Sequence, residues 1–310
     1  MSYTIQKLTD IPDSSANRSE LADFMEIQCL TNDEHLYSVT SCASVMGIAF
    51  DDELDDDQQE RALSDYYAVL SDVEDRDKKS NGNYPFDTGE KTLSLKGTIN
   101  PGVYEIYVFL LLATRMNMNT GKIQNGLDGT ALFEKLCAVV LKSYFGDNAE
   151  YFVFGTGVKG GFEAKMNDMI SRLKENLCIF KFPEGSSHSE KDGKVDIVLF
   201  IPFADSQKGI FTVFGQCKTG TNWRNHISSL NSANFMKKFL SGSFAFTPVN
   251  VFMVCESFFE NWETYQVDSN GLLFDRSRIM EYIPNDIDAS LLQDITNWNK
   301  AALEKLSKNK

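Results

Sequence analysis

Residues 194–220 read KVDIVLFIPFADSQKGIFTVFGQCKTG. Two apolar runs, Val195 to Pro202 and Ile210 to Cys217, are joined by the turn-rich ADSQKG, so the pattern predicts two strands in a hairpin. Strands this continuously apolar belong in a sheet covered on both faces. Strands joined by a short turn run antiparallel, so Asp196, which opens the first, is expected beside Gln216 and Lys218, which close the second. Gln216 and Lys218 are two apart on a strand and share a face.

Around this hairpin the middle of the chain alternates helix and strand. An apolar helix is expected from Asp128 or Thr130 to Phe145, a short strand from Tyr151 to Phe154, a helix from Phe162 to Asn176 and a short strand from Cys178 to Phe182. A helix from Trp223 to Leu240 and a strand from Val249 to Cys255 follow the hairpin. This order predicts an α/β sheet domain. Upstream, Ser19 to Leu30, Gln58 to Val73 and Tyr104 to Met116 read as helices, and residues 76–101 as a long connection or small hairpin. Downstream, a strand near Leu272 to Phe274 and a final helix from Ala289 to Leu306 form a cover. The expected division is therefore a mainly helical region over 1–125, an α/β core over 126–256 and a cover over 257–310.

The length of 310 residues suits about two domains, or one core with a large appendage. With 42% hydrophobic and 24% charged residues, wholesale disorder and fibrous repeats are excluded. The formal net charge is -14, which argues against bulk electrostatic coating of nucleic acid or an anionic membrane. That charge is unevenly placed: residues 1–129 carry -13, residues 130–245 carry +3 and residues 246–310 carry -4. The acidic run DDELDDD at 51–57 reads as a solvated loop entering a helix. The longest aliphatic run, Val108 to Ala113, is far too short to span a bilayer and is soon followed by Arg115, so no membrane role is expected. The start of the chain lacks the order of an export signal, and six cysteines form no Cys-x-x-Cys pair, so reduced thiols in a cytoplasmic protein are expected.

Charged residues at the ends of apolar strands need a reason, because burying them without partners is costly. One reason is a plain ion pair between Asp196 and Lys218. The other is metal-assisted phosphodiester hydrolysis, in which a hard cation takes oxygen ligands and a lysine faces developing phosphate charge. The acid-or-Gln, any residue, Lys triplet recurs at Asp77/Lys79, Glu163/Lys165 and Asp192/Lys194, but only Gln216/Lys218 closes an apolar strand beside an Asp that opens its neighbour. Glu134 stands on the apolar face of its helix, with Cys137, Ala138 and Leu141 three, four and seven residues on, while Lys135 and Lys142 mark the wet face. It is the candidate for a further carboxylate.

A helix Glu, a strand-opening Asp and a Gln-x-Lys triplet on the next strand resemble the PD-(D/E)XK nuclease superfamily, especially its Mrr-like and defence-associated branches, over residues 128–255. The resemblance implies a restriction-endonuclease-like mixed sheet flanked by helices. It implies that Glu134, Asp196, Gln216 and the backbone carbonyl of Cys217 hold Mg2+ or Mn2+, and that Lys218 is catalytic. It implies a DNA-cleaving effector of prokaryotic defence. The acidic helical region over 1–125, which the resemblance does not cover, is expected to recognise a protein partner or regulate the nuclease. Gln216 stands where an acid is usual and brings no charge. A catalytically inactive scaffold subunit is the alternative from a different class.

Two further segments compete for attention. Gly155 to Gly160 matches GxGxxG between a strand and a helix, the setting of a dinucleotide site, yet Glu184 lies too far along and bulky Phe162 opens the helix. Lys159 there is a candidate phosphate contact. In KTGTNWRNH, Thr219 and Arg224 near an expected helix start are candidate nucleic-acid contacts, and Trp223 suits either that role or the core.

Overall fold

The computed structural model describes residues 3–12, 16–38, 56–89, 92–154, 161–182 and 194–307. Its elements start where the sequence supplies caps. Helix α1 (Arg18–Thr31) begins after Asn17, whose side chain accepts the Glu20 N–H. Strand β1 (Leu36–Ser38) and helix α2 (Asp56–Lys79) follow. Strands β2 (Phe86–Thr88) and β3 (Thr92–Leu95) complete a small antiparallel sheet with β1, so the turn-rich stretch holds the expected hairpin. Helix α3 (Pro101–Arg115) has Asn100 as cap and Pro101 in its first turn.

The two-residue strands β4 (Ile123–Gln124) and β5 (Leu127–Asp128) are joined by Asn125 and Gly126, both at positive φ, as a tight hairpin turn requires. Asp128 then caps helix α4 (Gly129–Phe145). After β6 (Glu150–Val153) comes α5 (Phe162–Arg172), shorter than expected because Lys174 turns left-handed and Glu175 accepts the Ala245 N–H. Strand β7 (Ile179–Phe180) precedes the hairpin strands β8 (Ile197–Ile201) and β9 (Phe211–Lys218).

The expected helix over 223–240 is corrected. Only a 3-10 turn forms at Asn222–Asn225, where Trp223 is buried, and α6 (Ser232–Phe239) starts afresh after Asn231, which caps it. Strands β10 (Leu240–Ser241) and β11 (Val249–Val254), helix α7 (Trp262–Asp268), strand β12 (Gly271–Phe274) and helices α8 (Arg276–Glu281) and α9 (Ala289–Ser307) complete the chain.

The main sheet has the order β12-β11-β9-β8-β6. Strand β8 runs antiparallel to β6 and β9, while β9, β11 and β12 run parallel. The fold is therefore mixed α/β, with apolar cover on both faces as the strand composition demands. Ile197, Leu199, Val213, Val251 and Met253 pack into the cluster that holds the α3, α4 and α9 residues, and Val198, Phe200 and Phe214 into another with α5 and α6. Two expectations shift: β7 pairs with β10 outside this sheet, and β12 is one of its strands rather than part of a separate cover. The larger cluster runs from Leu8 to Leu306, so apolar packing crosses the expected boundaries at 125 and 256. Of the acidic run, Asp56 and Asp57 open α2, and residues 51–55 lie outside the described residues.

A buried ion cluster joins the same parts. Asp23 and Glu26 of α1 receive Arg76 from α2 at 2.7 and 2.6 Å, and Asp23 also receives Arg115 of α3 at 2.5 Å and Arg276 of α8 at 2.8 Å. Tyr84 and Tyr107 donate to Glu26 at 2.9 Å. Burial pushes the Asp23 carboxyl up, but the guanidiniums of Arg115, Arg276 and Arg76 outweigh it and hold it well below the usual carboxylate range. Replacement of Asp23 by Ala leaves three buried guanidiniums without their shared anion, and the expected loss is roughly 3–5 kcal/mol in urea denaturation. Because folding lowers this pKa, the stabilisation is complete above the ordinary value of 3.8 and is lost as the pH falls below it. Acid melting curves should show that limb in the wild type and lack it in Asp23→Ala.

Candidate active site

The hairpin places its polar ends together as the sequence predicts. The register Ile197↔Gly215, carried one step further, sets Asp196 opposite Gln216. Asp196 is held from three directions. Its N–H donates to the Gly215 carbonyl at 2.8 Å, its carbonyl accepts from Phe154 at 2.7 Å, and its Oδ2 accepts the Cys217 N–H at 2.8 Å.

Alternation then separates the side chains of β9. A Cβ built on Gly215 would stand 3.6 Å from Leu141 of α4, so Gly215 faces that helix. Gln216 therefore points the other way, as does Lys218. Gln216 is fully buried; its Oε1 accepts from Ser229 at 2.9 Å, and its Nε2 has no acceptor. Lys218 is half-buried and makes no ion pair or hydrogen bond among the described residues, so the strand-end pair with Asp196 does not form.

Glu134 approaches from the α4 side. It is 8% exposed while Lys135 and Lys142 are exposed, which matches the expected faces of the helix. One turn on, the Cys137 thiol meets that of Cys217. Burial raises both thiols, and the charges of Glu134 and Asp196 raise them further, so neither is a thiolate nucleophile. These shared effects put Glu134 and Asp196 in one neighbourhood. Gln216 and Lys218 lie on the face of the sheet away from α4.

Among the described residues no three His, Cys, Asp or Glu side chains gather as a metal-binding group. The oxygens that the resemblance nominates are the carboxylates of Glu134 and Asp196, the Gln216 amide and the Cys217 carbonyl, of which Glu134 lies on the α4 side of the sheet and Gln216 on the other. Two carboxylates with neutral oxygens and water suit Mg2+ or Mn2+. The Gln216 amide can present either of its polar atoms. Turned by 180°, it keeps its bond with Ser229, with nitrogen now donating, and offers Oε1 where Nε2 lacks an acceptor. That orphaned position can take an oxygen, so the Gln216 amide is able to serve as a neutral ligand.

The remaining candidates are dispersed. Lys159, the glycine loop 155–160 and Glu184 lie outside the described residues. Thr219 is half-buried beside Gly220, whose N–H donates to the Ala113 carbonyl. Arg224 is committed to Glu256 at 2.7 Å and lies 4.4 Å over the Trp223 ring. Trp223 is a core residue, with Nε1 donating to Glu256 at 2.6 Å. Glu256 and Ser229 were invisible to sequence reading: each is a lone polar residue in a loop, and only the fold shows what it holds.

No protein-family model, curated protein or solved structure matches this chain. No helix among the described residues is long and apolar enough to cross a membrane.

Replacement of Gln216 by Met keeps the side-chain volume and removes the orphaned donor, so the melting temperature without metal should hold or rise. If the amide is a ligand, the rise in melting temperature that Mn2+ gives the wild type should shrink in this variant. An equal rise in both would exclude Gln216 as a ligand.

Proposed function

We propose that the chain is a divalent-metal-dependent nuclease acting on DNA, built on a restriction-endonuclease-like sheet and serving prokaryotic defence. The observation that carries this reading is Lys218: a cation that ends an apolar strand next to the strand that Asp196 opens and has no counter-ion among the described residues. The element order α4, β6, β8, β9, α6, β11 within one mixed sheet supports it, because the resemblance needs a helix Glu ahead of an Asp strand and a Gln-x-Lys strand.

On this reading Glu134 and Asp196 supply negative charge to a Mg2+ or Mn2+ site, and Gln216 and the Cys217 carbonyl supply neutral oxygens. When bound, the metal polarises phosphate and lowers the pKa of a water. Lys218 holds a fixed positive charge against the phosphate as its charge grows. The hydrogen bond from Cys217 N–H to Asp196 keeps that carboxylate at the strand end. The backbone carbonyl of Cys217 and the Lys218 side chain are one residue apart, so a single strand end positions both. Thr219 and Lys159 would contact the nucleic-acid backbone, Arg224 being held by Glu256, and the acidic region 1–125 would receive a protein partner that relieves its repulsion of DNA.

A second reading has its own observation. Gln216 is completely buried and already bonded to Ser229, which suits a scaffold subunit whose metal site has been lost.

Plasmid cleavage with Mg2+ or Mn2+ separates the two. Lys218→Ala and Asp196→Ala should each lose at least about 100-fold in rate, the scale of removing a charge-stabilising group. Equal cleavage by all three proteins, or none by the wild type in the presence of its natural partners, would leave the scaffold reading.

A further inference from the structure

The parallel strands β9, β11 and β12 end on one edge of the sheet, where open α/β sheets tend to place their ligands. One strand beyond Lys218, the chain leaves β11 through Phe258 and Phe259 into α7. Between this segment, the end of α2 and α8 lies a cavity of about 510 Å³, well within the range of small-molecule sites. It shares no residue with the candidate active site.

Its wall is aromatic. Phe258 and Trp262 stack with centroids 5.2 Å apart and planes at 27°, and Phe259 lines the cavity beside them. Cations lie over these rings: Arg278 is 4.4 Å above Trp262, and Lys79 Nζ is 3.7 Å above Phe259. Lys78 adds a third positive charge. The lysines are not locked in place. Their partners Glu74 and Asp75 lie back along the exposed face of α2, and surface pairs of that kind are weak. Two carboxylates, Asp275 and Glu281, share the lining. Burial pushes the Asp275 carboxyl up to about 6, against the pull of the Arg278 N–H.

A simple anion site has no need of three aromatic rings, and an apolar peptide groove has no need of cations over them. The combination suits a flat π-system that carries a phosphate and presents N–H groups on its edge. We propose that this cavity binds a nucleotide, with the base over Phe259 in the place of Lys79 and beside the edge of Trp262, whose faces Phe258 and Arg278 cover, the phosphate on Lys78 and Lys79, and Asp275 and Glu281 accepting from the edge of the base. The nucleotide is either free or one residue of a single strand, since the recognition chemistry is the same.

The test uses the full chain and reads binding, so a negative cleavage assay leaves it standing and a negative binding assay leaves the nuclease reading standing. A fluorescein-labelled oligothymidylate is titrated by anisotropy, and AMP, GMP and ribose 5-phosphate are titrated by calorimetry. The expected result is binding of the oligonucleotide, of AMP or GMP, or of both, with ribose 5-phosphate at least tenfold weaker. Trp262→Ala and the double variant Lys78→Glu/Lys79→Glu should each weaken that binding at least tenfold, the double variant with unchanged melting, since Lys78 and Lys79 are exposed. Binding of the oligonucleotide assigns a single-strand subsite, and binding of AMP or GMP alone a free-nucleotide site. Absence of all binding, variants that bind like the wild type, or ribose 5-phosphate binding as well as AMP would overturn the proposal.

Discussion

The structure depends on a set of charges taken out of water. Glu20, Asp23, Glu26 and Glu256 face Arg76, Arg115, Arg224 and Arg276, four of each sign, and all but Arg224 are nearly or fully buried. Moving such groups from water costs several kcal/mol per ion, which only close mutual pairing offsets. The cluster therefore tolerates no missing member, and its members come from α1, α2, α3, the turn after β9, the end of β11 and α8. It fixes the relative positions of elements that lie far apart in sequence. Arg276 Nε also donates to the Cys255 carbonyl, so the cluster is tied directly to the end of the central strand.

This constraint shapes the functional edge of the sheet. Glu256 takes Trp223 and Arg224 on one side and Arg115 on the other, which holds the turn after β9 against α3. The Gly220 N–H on the Ala113 carbonyl adds to that hold. The strand end carrying Gln216 and Lys218 is thus braced from behind, and the segment leading to Phe258 starts from the same Glu256. The candidate active site and the cavity lie at one braced edge with no element in common, β11 standing between them.

Local pattern made much of this legible. The hairpin, its register, the inward face of Glu134 and the starts of α1 and α4 follow from alternation and helical spacing, whereas α3 starts at Pro101, a turn ahead of the expected Tyr104. The ion cluster did not, because helix α1 reads as amphipathic through Leu21, Phe24, Met25 and Cys29, whereas its acids at 20, 23 and 26 are buried too. A stripe of acids at intervals of three was the available signal, and its partners lie 50 to 250 residues away. The same long-range term broke the expected helix at Trp223: its indole is more strongly held by Glu256 than by a continuing helix, so the chain turns through 222–231 before α6 starts. The two faces of β9 show another limit. Alternation correctly put Gln216 and Lys218 together, but the side of the sheet on which α4 packs, and hence the side from which Glu134 arrives, is a property of the tertiary fold.

The net charge of -14 now has a physical distribution. The internal cluster is balanced, so it contributes nothing to the total, and the whole excess of acid belongs to the rest of the molecule. A polyanion approaching such a surface is repelled at long range, but at physiological salt that repulsion is screened over about 8 Å. On the proposed readings, what would decide binding at the sheet edge is the local set there: Lys218, without a counter-ion among the described residues, and Lys78, Lys79 and Arg278 beside aromatic rings. Global acidity then slows encounter without abolishing contact, and it makes any affinity for nucleic acid depend on how closely the ligand fits that edge rather than on bulk attraction.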